Sequence, residues 1–387
     1  MIWRWLAAAC LLLVVVDGVQ RSLPTGELRD FGSFVASANA AARGENPYGI
    51  HPLTFHVVLP NFDVWNPNLN PPVSVLLFQP FRLTAPQQVF RWWWGVSLVS
   101  YLLTLALVIR NHRGSDTWLR ALWALALAGF WDTLALGQIY MPLVLAATAS
   151  WYLLRSGRHV AAGVLIGIVI AVKPNFAVWP AVLFLAGHPR APLTAFATAA
   201  ALAVLPLITH GVQIYRQWFE VLLADEHRLA FLTNASMPGL AYRLGHAGAG
   251  AIAGAALLAA AGVWAVWQKP APLRASACGM LAAIAASPIA WVHYTLFLLP
   301  VFFSSRMSPV LFASATLLVI PVAVVLRFLD APIWQQLTIG SAYNWAVLLC
   351  LIGWVAAHAP VVSDSLGDVA AILRPSRRAA CRSELSR

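Results

Sequence analysis

The sequence predicts an all-α, polytopic membrane protein, and its composition, apolar runs and charge pattern all indicate that class. Of the 387 residues, 60% are hydrophobic and only 10% are charged, and the mean hydropathy is +0.73. A soluble domain needs far more charge to cover its surface, so the bilayer has to be the solvent for most of this chain. Because hydrocarbon offers no hydrogen-bond partners to open backbone, the apolar runs are predicted to be helices.

Twelve apolar runs form the predicted bundle, as a single membrane domain over residues 1–360. Several runs are shorter than the roughly 20 residues that a crossing helix needs, so we expect broken or re-entrant helices at 160–172/175–187 and at 275–291/293–305. A basic tail over 361–387 is expected to be disordered. The runs are 2–19, 92–109, 118–136, 139–154, 160–172, 175–187, 191–209, 248–267, 275–291, 293–305, 308–326 and 341–358.

The positions of Lys and Arg predict the orientation of the bundle. With both termini in the cytoplasm, the cytoplasmic segments carry all of the formal net charge of +11. Two long segments, 20–91 and 211–250, then face outward, and 215–223 within the second is predicted to be an interfacial helix. The pI of about 10.2 therefore reflects topology and attraction to anionic lipids, and argues against a nucleic-acid partner.

The first outer segment carries two carboxylates that are candidates for catalysis on, or binding of, a polar substrate. Asp30 follows the first span, and a carboxylate at the mouth of a membrane cavity can have a raised pKa, as a general base requires. The alternative is a solvated Asp30 paired with Arg29. Asp63 and Trp65 lie in a stretch rich in Pro and Asn, 60–72, where fixed turns are expected. They are candidates for sugar binding, with a rigid surface loop as the alternative.

Four further polar residues lie within or between apolar runs. Asp132 and Gln138 are predicted to face a cavity or to join helices. Lys173 lies between two short runs, where an unpaired ammonium costs roughly 3 kcal/mol, so it should meet an anion such as a lipid phosphate; snorkelling or pairing with an Asp is the alternative. His293 at a predicted outer turn can donate to a phosphate, although a single membrane histidine is usually structural.

These motifs, in this order, resemble glycosyltransferase family 87, a group of bacterial enzymes with the polytopic helical GT-C fold. The resemblance covers roughly residues 1–360. It rests on Asp30, Asn46-Pro47-Tyr48, Pro71-Pro72, Gly137-Gln138, the run from Gly163 to Gly167 that leads to Lys173-Pro174, and Ser287-Pro288 followed by Trp291 and His293.

The resemblance implies a GT-C-type bundle of about 10–12 transmembrane helices with long extracytoplasmic loops, in the bacterial inner membrane. It implies a polyprenyl-phosphate-sugar donor, mannosyl in the first place, and a lipid or glycan acceptor on the outer side. Asp30 matches the aspartate taken as catalytic base, and His293 matches the histidine that assists at the donor phosphate. Asn46 and Tyr48 join Asp63, Trp65 and Gln138 as substrate-binding candidates.

The predicted reaction is an inverting single displacement. Asp30 takes the proton of the acceptor hydroxyl, while Lys173 and His293 stabilise the departing lipid phosphate. A lipid phosphate is a good leaving group, so neither a metal nor another cofactor is expected, and no pair of cysteines has zinc-ligand spacing. Two other classes stay open: a secondary transporter of a small solute, which broken helices and intramembrane charges would suit, and a binding or scaffold subunit without catalysis.

Overall fold

The computed structural model describes residues 2–24, 26–112, 114, 116–224 and 227–358. The predicted basic tail, 361–387, lies outside the described residues. Within them the chain forms a helical bundle with one small hairpin. The helices are α1 Ile2–Ser22, α2 Arg29–Ala42, α3 Pro72–Phe78, α4 Pro86–Asn111, α5 Thr117–Leu125, α6 Ala128–Leu136, α7 Tyr140–Arg155, α8 His159–Val172, α9 Val178–Leu185, α10 Arg190–His210, α11 Gln213–Leu223, α12 Met237–Arg243, α13 Ala247–Gln268, α14 Pro272–Ala285, α15 Leu299–Ser304, α16 Pro309–Leu317, α17 Val322–Val325, α18 Ile333–Leu337 and α19 Ala342–His358.

The helical membrane fold that the sequence predicts is confirmed. Six segments of the described chain are long and apolar enough to cross a membrane, and a bent pair could supply a seventh. The other predicted runs form shorter helices. The six segments are Trp3–Ser22, Pro86–Asn111, Thr117–Leu136, Arg190–His210, Ala247–Gln268 and Ile333–Ala357, and the bent pair is Pro309–Leu317 with Val322–Phe328, at 81°.

Both predicted helix breaks are present, and proline accounts for the first. Pro174 has no backbone N–H and disfavours a helical conformation in the residue before it. Lys173 accordingly has φ −136° and ψ 83°, which ends α8 at Val172, and a 3₁₀ turn, Pro174–Ala177, leads into α9. The second break follows α14 and leads into a 3₁₀ helix, Val292–Leu298. Lys173 directly follows the end of α8 at the first break, and His293 lies in the first turn of the 3₁₀ helix that follows the second.

Small residues let two helices of the bundle pack closely. A Cβ atom on Gly163 would lie 2.5 Å from the carbonyl oxygen of Ala191, and one on Gly167 would lie 2.6 Å from that of Ala195. Such spacing of small residues by four is typical of close helix pairs in membranes. The contact holds α8 against α10 and thereby fixes the end of α8, where Lys173 lies.

The stretch around residues 55–66 differs from the fixed turns that the sequence predicted. Two short strands, β1 Phe55–Leu59 and β2 Phe62–Asn66, pair as an antiparallel hairpin with Leu59 opposite Phe62. Asn61 in the connection has φ +56°, a conformation that Asn tolerates better than most residues. Pro60 and Asn61 therefore form the turn of the hairpin, and Asn66 and Pro67 mark its end, rather than a loop without regular structure.

The segment that was predicted to be an interfacial helix is helical and forms α11. It buries Ile214 and Trp218 on one face, and the Trp218 indole donates to the carbonyl oxygen of Leu69 at 3.0 Å. The helix thus packs on the segment between the hairpin and α3. This contact ties the two long polar segments of the chain together above the bundle.

Candidate active site

A cavity of about 640 Å³ lies where the two long segments meet the bundle. We call it the central cavity. Its wall combines apolar side chains from α1, α6, the hairpin and the bent pair with a small group of convergent polar side chains, as ligand sites do. The polar side chains that line it include Asp30, Asn66, Asp132, Gln138, Lys173, Arg228 and His293.

Asp30 lies in the first turn of α2 and is buried in the cavity wall. Its two carboxylate oxygens accept hydrogen bonds from the side-chain amides of Asn66 and Gln138. Burial raises the pKa of the Asp30 carboxyl, while those two hydrogen bonds and the charges of Arg228 and Arg29 act in the lowering direction. A carboxylate oxygen has more than one lone pair, so each can still accept a hydrogen bond from a substrate.

A left-handed glycine brings Gln138 to Asp30. Gly137 ends α6 with φ +68°, which glycine adopts without a steric penalty. A Cβ atom there would lie 2.6 Å from Cβ of Phe31, next to Asp30 in α2. The turn therefore packs directly on α2, and the next residue, Gln138, reaches the carboxylate. Gly137 thus allows α6 to pack closely on α2, and Gln138 lines the cavity.

Lys173 is buried at the break after α8, and its ammonium lies over aromatic rings. Nζ is 4.3 Å from the ring centre of Tyr140 and 5.6 Å from that of Tyr294. Such contacts stabilise a buried cation by roughly 2 kcal/mol. No carboxylate among the described residues pairs with this ammonium. The amino group of Lys173 therefore lies in the cavity wall, over the two rings.

His293 follows the second helix break and faces α6. Its Nδ1 atom lies 3.2 Å from Oγ1 of Thr133 and 3.6 Å from a carboxylate oxygen of Asp132. The imidazole also stacks on Tyr140, with ring centres 4.9 Å apart. Tyr140 therefore contacts both the cation of Lys173 and the ring of His293, and it joins the two helix breaks into one wall.

The structure brings Asp30, Gln138, Lys173 and His293 together in the central cavity. They come from positions spread over more than 260 residues of sequence. The last two lie beside the two helix breaks, Lys173 directly after α8 and His293 at the start of the 3₁₀ helix that follows α14. Their roles in binding or catalysis stay predictions.

Two predicted substrate-binding residues, Asp63 and Trp65, point away from the cavity. Along the strands, alternate side chains face opposite sides, and the cavity side is taken by residues such as Val64 and Asn66. Asp63 is largely exposed and pairs with His56 at 2.6 Å, and Trp65 stacks on the same imidazole. The sequence predicted turns and not strands in this segment, so it gave no basis for deciding which side chains face the cavity.

Asn46 and Tyr48 do not line the cavity either, and their contacts are structural. The side-chain oxygen of Asn46 accepts a hydrogen bond from the backbone N–H of Tyr48 at 2.9 Å. The Tyr48 ring is buried beside Ile214 and Trp218, and its hydroxyl donates to the carbonyl oxygen of Asn70 at 3.1 Å. These residues fix the chain between α2 and α3.

Several lining residues were not among the predicted site residues. Asn66 lay in the predicted turn region, and its role depends on the hairpin register. Tyr140 follows Gly137-Gln138 closely, which is the one sequence signal that could have indicated it. Arg228 lines the cavity and donates to the carbonyl oxygen of Trp65 at 2.8 Å. Asp132 had been predicted to face a cavity or another helix, and it does both.

The glycosyltransferase family 87 model matches residues 68–288, more than half of the chain. The chain belongs to glycosyltransferase family 87. It is therefore a glycosyltransferase with a multi-pass membrane fold. Gln138 and Lys173 fall within the matched range, whereas Asp30 and His293 lie outside it.

Curated relatives give the family match more detail. A polyprenol-phosphate-mannose-dependent alpha-(1-2)-phosphatidylinositol pentamannoside mannosyltransferase of Mycobacterium tuberculosis is 27% identical, over 90% of this chain and 87% of that protein. Its counterpart in Mycolicibacterium smegmatis is 25% identical, over 84% of each chain. A phosphatidylinositol mannoside mannosyltransferase of M. tuberculosis is 27% identical over 59% of this chain, and the chain spans 60% of that relative.

One solved structure is also similar in outline. ArnT from Cupriavidus metallidurans, bound to undecaprenyl phosphate, aligns over 92% of this chain and 78% of its own, at 13% identity and a TM-score of 0.42. That similarity is too low to assign a substrate.

Proposed function

We propose that this glycosyltransferase moves a hexosyl group, mannosyl in the first place, from a polyprenyl-phosphate-sugar to an acceptor hydroxyl on the extracytoplasmic side. The observation that carries the proposal is the joint lining of one cavity by a buried carboxylate, a buried ammonium and an imidazole. The relatives, which are named for polyprenol-phosphate-mannose as donor, support mannose as the sugar. Their names also favour a phosphatidylinositol mannoside as the first acceptor to test.

The proposed reaction is a single displacement at the anomeric carbon. Asp30 accepts the proton of the acceptor hydroxyl while the hydroxyl oxygen forms its bond to that carbon. The bond from the anomeric carbon to the phosphate oxygen breaks, and the lipid phosphate leaves with the electron pair. Lys173 and His293 stabilise the charge on that phosphate, an electrostatic contribution of about 3 kcal/mol for a well-placed donor. Configuration is inverted because attack and departure occur on opposite faces of the sugar.

No metal or other cofactor is part of this mechanism. The leaving phosphate is already a weak base, and two buried cationic or proton-donating groups of the chain face the same space. The apolar part of the cavity wall, from α1 and the bent pair, suits the lipid portion of the donor. Hydrophobic residues of α1 such as Trp3 and Leu13 are exposed, as expected for contact with lipid.

The orientation proposed here has both termini in the cytoplasm and the central cavity on the outer side. The excess of Lys and Arg in the other connecting segments supports it. Single cysteines at positions 30, 173 and 293, labelled from one side of the membrane, test this orientation. Labelling of position 30 from one compartment and of 173 from the opposite one would overturn the shared site.

The activity is tested with the purified full-length chain in proteoliposomes. The donor is polyprenyl-phosphate-mannose with radiolabelled mannose, and the acceptor is phosphatidylinositol mannoside. We expect radiolabelled glycolipid with the anomeric configuration opposite to that of the donor, measured by NMR. Gradient-driven uptake of a free sugar without glycolipid formation would contradict the proposal and favour a transporter.

A further inference from the structure

The helix α6 approaches the turn that carries His293 unusually closely. A Cβ atom on Gly129 would lie 2.7 Å from the carbonyl oxygen of Val292, so glycine is what allows the approach. Thr133 lies one helical turn further along and on the same face as Gly129. Asp132 is its neighbour in sequence. The close approach therefore brings a hydroxyl and a carboxylate of α6 to the imidazole of His293.

The hydrogen bonds of Thr133 indicate which nitrogen of His293 carries a proton. The Thr133 hydroxyl donates its only hydrogen to the carbonyl oxygen of Gly129 at 2.6 Å. Toward Nδ1 of His293, 3.2 Å away, the same oxygen can then act only as an acceptor. The second group near Nδ1 is the carboxyl group of Asp132, whose oxygen at 3.6 Å is too far for a hydrogen bond but, when ionised, favours a proton on that nitrogen. Nδ1 therefore carries the hydrogen.

A proton on Nδ1 leaves Nε2 as the nitrogen that can serve a substrate. In the neutral ring Nε2 is an acceptor, and it donates to a phosphate only when the ring holds both protons. Burial of the ring and the nearby ammonium of Lys173 oppose that positive charge, whereas the oxygen of Thr133 next to Nδ1 favours it. A donor phosphate would add a negative group on the other side of the ring.

We propose that Thr133 and Asp132 are positioning residues, which hold the Nδ1–H side of His293 and favour the doubly protonated ring, whose Nε2–H then donates to the leaving phosphate. The inference rests on the proposed function and adds two residues to its machinery. Neither needs to touch the substrate. Their effect is on the transition state, in which negative charge grows on the phosphate, more than on binding of the donor.

The test compares Thr133→Val with Thr133→Ser in the proteoliposome assay. Valine matches threonine in shape but lacks the hydroxyl, whereas serine keeps it. We expect Thr133→Val to lower kcat about tenfold, with KM for polyprenyl-phosphate-mannose within about twofold, and Thr133→Ser to stay close to the wild type; a charge-assisted hydrogen bond is of this order. Asp132→Asn should lower kcat in the same way.

Asp63→Asn is the matched control, because Asp63 also pairs with a histidine but points away from the cavity. It should leave kcat unchanged. Equal kcat values for Thr133→Val and Thr133→Ser, or a change confined to KM, would overturn the inference. If wild-type protein transfers no mannose, the proposed function fails; if it does and Thr133→Val is fully active, only this inference fails.

A second pair of variants decides the question if Thr133→Val does not fold. The side-chain amide of His293→Gln reaches roughly the place of Nε2, whereas that of His293→Asn reaches only the place of Nδ1. We expect the glutamine variant to retain at least about tenfold more transfer than the asparagine variant. Equal residual rates in the two variants would contradict a role for Nε2.

Discussion

Replacing Asp30 by Asn removes the proposed base while changing few atoms. The carboxylate oxygens accept from two amides, those of Asn66 and Gln138. An asparagine side chain has one oxygen and one NH₂ group, so it can accept from one of these amides and must face the other with a donor. The substitution therefore leaves one donor without a partner in the cavity wall.

The effect of Asp30→Asn on stability is the balance of two opposing contributions. Burial raises the pKa of Asp30, which means that the ionised carboxylate is less favourable in the folded than in the unfolded state. At a pH above the pKa of Asp30 in the folded state, the ionised carboxylate destabilises the fold. The neutral amide of Asn removes this destabilisation. The unpartnered donor costs about 1–3 kcal/mol in the opposite direction. We therefore expect a melting temperature in detergent close to that of the wild type at pH 7.

The effect on activity should be large, because an amide cannot take the proton of the acceptor hydroxyl. General-base catalysis contributes about 10²–10⁴-fold, and we expect a fall in transfer rate of that size. The assay is transfer of radiolabelled mannose in proteoliposomes, with Asp63→Asn as the control that removes a carboxylate outside the cavity. Transfer by Asp30→Asn within about threefold of the wild-type rate would refute the assignment of the base.

Three further predictions concern the same cavity. Transfer should be lost as pH falls through the raised pKa of Asp30, because the base must be ionised, so the acid limb of the pH–rate profile should lie above the ordinary aspartate value of about 3.9; a limb at or below that value would contradict it. Lys173→Met should lower kcat about 10³-fold, since an ammonium about 4 Å from a phosphate contributes about 4 kcal/mol at an effective dielectric constant of 20. Retained kcat would exclude a role at the leaving group. Gly137→Ala should lower both the melting temperature and the transfer rate, because the left-handed backbone costs about 1–2 kcal/mol and the new Cβ meets Phe31. Gly157→Ala is its control, with φ +72° and open space around it, and should show the strain alone.

The amino-acid sequence was sufficient for the membrane fold, because hydrocarbon leaves the backbone no alternative to helix over long apolar runs. It also indicated both helix breaks, and Lys173 at the first, since the effect of Pro174 is local. Asp30, Gln138 and His293 could be singled out for a similar reason. Each is a polar residue beside an apolar run, where an unpartnered polar side chain is energetically unfavourable.

Faces and contacts were decided by the tertiary structure alone. Whether Asp63 or Asn66 faces the cavity depends on the register of the hairpin, and a shift of one residue would exchange the two. The proximity of Thr133 to His293 depends on a packed contact between residues 160 positions apart. Composition and periodicity act over a few residues, so they predicted which groups needed a partner; the partner itself was fixed by packing between distant segments.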